Sequence, residues 1–216
     1  MRFKQAGLWA YFGASAAVIA GIVLENEALY VATKPLLMVA LLAYFWGAST
    51  EMHGRKWVLW ALVFSWFGDV FLMADWGFMP GLGAFLVAHL CFIRAYWVLG
   101  AENGTAKPVD VVKFIVVGAG LMWVLFPSLG SMLIPVLVYA IVLLSMAVVA
   151  HKRRGATSPL SFSLVAAGAV LFVMSDGLIA VNKFAYIVPF ERLLVMGTYM
   201  AAQYLIVTGL LKHTTD

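Results

Sequence analysis

Long apolar runs punctuated by short polar segments set the pattern of this chain. The hydrocarbon layer of a bilayer is ~30 Å thick, so a spanning helix needs about 17 to 25 mostly apolar residues. Eight runs of that kind extend over Ala6–Leu24, Lys34–Thr50, Trp57–Ala74, Pro80–Gly100, Val109–Phe126, Met132–Ala150, Pro159–Val181 and Phe190–Leu211. The segments between them hold the breakers and charges: ENEALYVAT, EMHGRK, DWGFM, AENGTAK, PSLGS, HKRRGATS and NKFAYIVP. The pattern predicts an all-α polytopic membrane protein with eight transmembrane helices. No connector has room for a soluble domain, so residues 1–216 read as a single eight-helix transmembrane domain whose backbone polar groups are satisfied within each helix.

Composition agrees. Hydrophobic residues make up 64% of the 216 and charged residues 11%, with mean hydropathy +0.99; a soluble domain is about 45–50% apolar and about 25% charged. A net charge of +4 could suggest an acidic partner, yet the basic residues fall in short connectors, which is a signature of topology and not of nucleic-acid binding. With the N-terminus inside, Arg2, Lys4, Arg55, Lys56, Lys107, Lys113, Lys152, Arg153, Arg154 and Lys212 lie inside, and Lys34, Lys183 and Arg192 outside, with Arg94 within span four. That asymmetry puts both termini in the cytoplasm. Read instead as a signal peptide cleaved near Ala14-Ser15-Ala16, the first run would leave seven spans and set the HKRR connector against the remaining charges. The single cysteine, Cys91, excludes an intramolecular disulfide and lies in an apolar run.

Against this background two aspartates stand out. Asp69 in FSWFGDVFLM and Asp176 in LFVMSDGLIAV each lie five residues before the outer end of an outward-running span. At the helical rise both carboxyls sit ~8 Å below the outer boundary. An ionised aspartate at such depth costs a few kcal/mol even on the mildest insertion scale, which makes it a functional-site candidate. Ser65, His89, Ser175, Tyr199 and Gln203 occupy neighbouring span positions, and Lys34, Asn182 and Lys183 the outer rim. Together they predict a polar cleft open to the outside, in the outer half of the membrane (the inner membrane if the host is bacterial). Each also has a structural reading. His89 and Gln203 can hydrogen-bond between helices, Tyr199 can pack, and Lys34, Lys183 and Arg94 can snorkel. Trp57 and Trp76 fit an interfacial belt, and the glycine pairs of VVGAG and PGLGA fit close helix contact. A faint repeat pairs Lys34-Pro35 with Ile134-Pro135, Asp69 with Asp176, and Phe85/His89 with Tyr199/Gln203, at offsets of 100, 107 and 114 residues; it predicts a four-plus-four duplication.

The residue types restrict the chemistry. His53, His151 and His213 fall in inner connectors or the tail, which leaves only His89 at depth and argues against a three-histidine zinc site. The recurring intramembrane groups are carboxyls, not a serine beside a histidine base. Two close carboxyls divide their roles, one holding a proton and one ionised. That pair suits acid/base hydrolysis. It equally suits a transporter or channel carrying protons or cations, which would need a polar path inward through Trp57–Phe64 and Pro159–Met174, stretches that are mostly apolar. A purely structural scaffold would leave the matched aspartates unexplained.

Ser65-x-x-Gly68-Asp69-x-x-Leu72, Phe85-x-x-x-His89, the SDGLIAVNKF segment with Ser175, Asp176, Asn182 and Phe184, and Tyr199-x-x-x-Gln203 together resemble the lysoplasmalogenase (YhhN-like) family. The resemblance runs from Lys34-Pro35 to the end of span eight. Phe92 departs from it, standing where a tyrosine is expected. The resemblance implies hydrolysis of the vinyl ether of a lysoplasmalogen, a lysophospholipid drawn from the membrane. The products are a fatty aldehyde and glycerophosphoethanolamine or glycerophosphocholine, and neither metal nor cofactor takes part. On this reading Asp69 and Asp176 form the acid/base pair; His89, Tyr199 and Gln203 orient water and the ether oxygen; Lys34, Asn182 and Lys183 hold the headgroup phosphate.

Overall fold

The computed structural model describes residues 2–213, with side chains from Gln5 onward. The side chains of Arg2 and Lys4, counted above in the charge balance, lie outside the described residues. The described chain is helical and contains no strand. Its helices are α1 (Arg2–Val23), α2 (Glu27–Ala48), α3 (Arg55–Phe71), α4 (Phe78–Tyr96), α5 (Pro108–Leu129), α6 (Leu133–Lys152), α7 (Pro159–Phe184) and α8 (Glu191–Leu211), with a π-turn at Trp97–Ala101 and a 3₁₀ turn at Gly130–Met132.

Among the described residues, six stretches are long and apolar enough to cross a membrane: Gln5–Val23, Glu27–Ala48, Phe78–Ala101, Pro108–Lys152, Pro159–Phe184 and Glu191–Leu211. Of the eight expected spans, the third is missing from that set, and the fifth and sixth are merged in one stretch. Helix α3 has 17 residues, because the chain leaves the helix after Phe71 for a series of turns, the Leu72 N–H donating to the Gly68 carbonyl and the Ala74 N–H to the Phe71 carbonyl. The 45 residues of Pro108–Lys152 form one apolar stretch, within which Gly130 takes φ 47°, ψ −122°. Arg154, beyond the end of α6, bonds Asp110 in the first turn of α5 at 3.0 Å. The stretch is therefore bent back into an antiparallel hairpin.

Helix boundaries differ from the apolar runs where capping decides. Asn26 accepts a hydrogen bond from Leu29 N and starts α2 at Glu27, so most of the expected ENEALYVAT connector is helical and Lys34 lies two turns inside α2. At α7 cap and run agree: Ser158 accepts from Ser161 N and Pro159 takes the first helical position, where the expected span begins. At its other end α7 continues through Asn182 and Lys183 to Phe184.

The helices gather into two compact units, Met1–Ala95 and Tyr96–Asp216. In the first, α1 and α2 pack antiparallel at close range. A Cβ on Gly7 would stand 2.6 Å from Tyr44 N, and one on Gly21 would stand 2.9 Å from Tyr30 N. Small residues at such positions let backbones approach where lipid supplies no hydrophobic drive between helices. In the second unit α7 and α8 do the same: a Cβ on Gly168 would lie 2.9 Å from Ala202 O, and one on Gly209 would lie 3.0 Å from Val165 N. The VVGAG and PGLGA pairs each contribute one packed glycine, Gly118 against Leu144 and Gly81 against Leu72, while Gly120 and Gly83 face open space.

One end of the second unit is built around the HKRR segment. At the π-turn Gly100 has φ 122°, a conformation that favours glycine, and Leu99 departs from helical geometry. The Leu99 carbonyl accepts from Arg153 Nε at 2.9 Å. Arg153 is fully buried, and its Nη2 donates to Ser161 Oγ at 3.0 Å, which donates on to Gly209 O at 2.7 Å. Burial lowers the Arg153 guanidinium to about 10, with Tyr96 opposing the shift, so it stays charged at neutral pH. Burial also lowers His213, with the Arg153 charge as a second cause. Arg154 and Lys113 both pair with Asp110 at 3.0 Å. His151 lies within the last turn of α6 and not in a connector; its Nδ1 is 2.8 Å from Ala147 O and its Nε2 is 3.1 Å from Lys113 Nζ.

Candidate active site

In the first unit, α3 carries Ser65 and Asp69 one turn apart, so both project from one side of the helix. Both are buried, Asp69 at 3% exposure. The carboxyl is thus held inside the protein and away from the lipid-facing surface, which presents Trp60 and Phe67. Gly68 beside it has a packing role: a Cβ there would fall 2.5 Å from ring carbons of Phe85 on α4. The glycine thereby admits the Phe85 ring directly against α3. One turn after Phe85, His89 is fully buried, as is Phe92. Lys34 is 7% exposed, with its ammonium 5.6 Å from the centroid of the Tyr30 ring; a buried lysine differs from the rim lysine expected at the start of span two. Arg94 is exposed in the last turn of α4.

In the second unit, Asp176 is half-buried on α7 and accepts a 2.5 Å hydrogen bond at Oδ2 from the hydroxyl of Tyr139 on α6. Tyr139 sits among apolar residues in LIPVLVYAIVLL, and nothing in the sequence pattern distinguishes it from a packing tyrosine. The approach of α6 to α7 brings it to Asp176. Next to Asp176, Ser175 is buried and donates to Val195 O on α8 at 3.2 Å. One turn earlier on α7, Phe172 meets the Tyr199 ring edge-on, with centroids 5.5 Å apart. Gln203 lies one turn beyond Tyr199 on α8, both are buried, and its Nε2 is 3.4 Å from the Tyr199 hydroxyl. Asp176, Ser175, Tyr199 and Gln203 therefore belong to the α7/α8 hairpin.

Asn182 and Lys183 lie in the last turn of α7. The Asn182 Oδ1 accepts from Val188 N at 2.9 Å, closing the turn that follows α7, and the Lys183 side chain is exposed. The turn beyond them displays Tyr186, Ile187 and Phe190 to the surroundings.

The chain is similar to known proteins over most of its length. The YhhN family profile matches residues 29–210. A Mycobacterium bovis protein named lysoplasmalogenase is 38% identical over 181 residues, covering 80% of this chain and 67% of that one. Lysoplasmalogenase TMEM86B of Mus musculus is 31% identical over 180 residues, 83% of this chain and 74% of its own. Human lysoplasmalogenase TMEM86A is 32% identical over 179 residues, 79% and 71% respectively. No solved structure matches the chain.

Proposed function

The chain belongs to the YhhN family, and from that premise we propose that this integral multi-pass membrane protein is an enzyme that hydrolyses the vinyl ether bond of lysoplasmalogens. The observation that carries the reading is the 38% identity over 181 residues to a protein named for that activity. Two carboxyls supplied by apolar helices, one of them 3% exposed and the other held by a tyrosine, support it, because the reaction needs an acid and an anion.

The chemistry follows from the bond. A proton delivered to the β carbon of the vinyl ether turns the C=C electron pair into a C–H bond and leaves an oxocarbenium ion at the carbon bearing oxygen. Water adds there and loses a proton, giving a hemiacetal. The hemiacetal collapses to a fatty aldehyde and the glycerol hydroxyl of glycerophosphoethanolamine or glycerophosphocholine. Asp69 and Asp176 act as the acid/base pair, a general acid or base of this kind contributing about 10²- to 10⁴-fold. His89, Tyr199 and Gln203 orient water and the ether oxygen. Lys34 and Lys183 attract the headgroup phosphate, and Asn182 supports that rim through its bond to Val188.

We read the chain as one domain of eight spans with both termini in the cytoplasm and the site in the outer half of the membrane. The fold-back at Gly130 supports counting α5 and α6 as separate spans, and two units of four helices support the four-plus-four repeat. Purified protein in detergent, offered a lysoplasmalogen and its saturated ether analogue, is expected to release aldehyde from the first and nothing from the second. Release of phosphate or of the headgroup in place of aldehyde, or equal release from both compounds, would overturn the assignment.

A further inference from the structure

Helix α7 contains two glycines, and packing accounts for one of them. A Cβ on Gly168 would lie 2.9 Å from Ala202 O on α8, while one on Gly177 would stand in open space. An interior glycine costs a helix about 1 kcal/mol against alanine, and at Gly177 no close helix contact offsets that cost. The position matters because Asp176 precedes it. Ser175 is buried and bonds Val195 O on α8, Asp176 reaches Tyr139 on α6, and Gly177 lies about 100° further round the helix. One turn further along, Ala180 and Val181 pack on the cluster of Leu125, Leu129 and Val136. One turn before, Met174 is 51% exposed. The open space at Gly177 therefore begins where the packing of α7 on α5 and α6 stops, and it continues onto the exposed face at Met174. A helical side chain lies over the turn before its own Cα, so a surface spot at position 176 is covered by the residue at 177. With glycine there, the flank of the half-buried Asp176 stays uncovered.

We propose that Gly177 keeps open a lateral entrance through which the apolar alkenyl chain of a membrane-dissolved lysoplasmalogen brings its vinyl ether to Asp176. The proposal rests on the hydrolytic reading above and involves the second unit alone. The vinyl ether lies at the junction of chain and headgroup, so a lipid that slides its chain along α7 presents the bond to the carboxyl without leaving the leaflet. Towards Phe184 the same face is closed by the Leu125 cluster, which leaves the Met174 side as the approach.

Gly177→Ala and Gly177→Leu in the full-length protein, reconstituted in proteoliposomes, test the entrance. Gly120→Leu is the matched control: Gly120 also faces open space, on a helix that carries no proposed site residue. All three variants are expected to unfold at or above the parent's temperature, because no atom has to move and both side chains favour helix over glycine. KM for a lysoplasmalogen is expected to rise with side-chain size at position 177, by roughly 10-fold for leucine. The accompanying kcat is expected to stay within about twofold, the pattern of binding lost ahead of chemistry. An unchanged KM in Gly177→Leu, an equal rise in Gly120→Leu, or a loss confined to kcat overturns the proposal. A Gly177→Leu protein that fails to fold would show that the space is filled, and overturns it too. A nitroxide on Gly177→Cys in a Cys91→Ala background adds a reading independent of turnover: oxygen, which concentrates in the bilayer, is expected to relax it more than a water-soluble nickel chelate does. The reverse order would put Gly177 in water and overturn lateral entry. Absence of vinyl ether hydrolysis by the parent would overturn the proposed function, and the nitroxide would then decide on its own whether this flank of α7 faces lipid.

Discussion

Asp69→Asn and Asp176→Asn are each expected to lower aldehyde release from a lysoplasmalogen by at least ~10²-fold, the lower end of what a positioned acid or base contributes, while the protein stays folded. The substitution keeps shape and hydrogen-bonding capacity but removes the chemistry. An amide neither delivers a strong acid's proton to carbon nor takes one from water. At position 176 the amide oxygen still accepts from Tyr139, so the α6–α7 contact survives; at position 69 the near-isosteric side chain still fits beside Gly68 and Phe85. The check is kcat together with the elution profile and circular dichroism of each variant. A folded variant with near-parental kcat would take that aspartate out of the mechanism.

The second large effect is on stability. Arg153→Met is expected to destabilise the protein by about 2–4 kcal/mol, since hydrogen bonds to charged groups contribute about 1.5–3 kcal/mol each and a buried acceptor left alone costs more. The guanidinium is fully buried and ties Leu99 O to Ser161 Oγ, linking the π-turn to the start of α7 and, through Ser161, to the end of α8. Methionine fills the space and supplies no donor. Lys152→Met is the matched control: its ammonium sits 3.9 Å over the Trp97 ring, a contact with an expected contribution of about 0.5–1 kcal/mol. Thermal unfolding in one detergent should rank the variants in that order, and equal shifts would contradict the clamp.

Those residues also mark what could be read from the sequence. The helical class followed from run length and hydropathy, because lipid leaves the backbone few alternatives. Asp69, Ser65 and His89 were recognisable because a polar group in an apolar span carries a cost, and all three are buried. Tyr139 carried no such signal, since tyrosine packs well in apolar helices and its partner lies 37 residues away. The HKRR run reads as charge topology, while the burial of Arg153 depends on a carbonyl that becomes available only where the chain breaks at Leu99 and Gly100. The start of the second span differs for a related reason: Asn26 starts α2 at Glu27 by hydrogen bonding, which hydropathy does not register.

Turnover of a lysoplasmalogen in deuterium oxide tests carbon protonation most directly. A proton added to the β carbon becomes a stable C–H bond in the aldehyde, so one solvent deuterium should appear on the carbon next to the carbonyl. The control is unlabelled aldehyde held in the same buffer for the same time and reduced at once to the alcohol, which measures exchange through the enol. Deuterium above that control is the predicted result. Aldehyde formed with no deuterium above it would contradict carbon protonation, and with it the acid role given to the Asp69 and Asp176 pair.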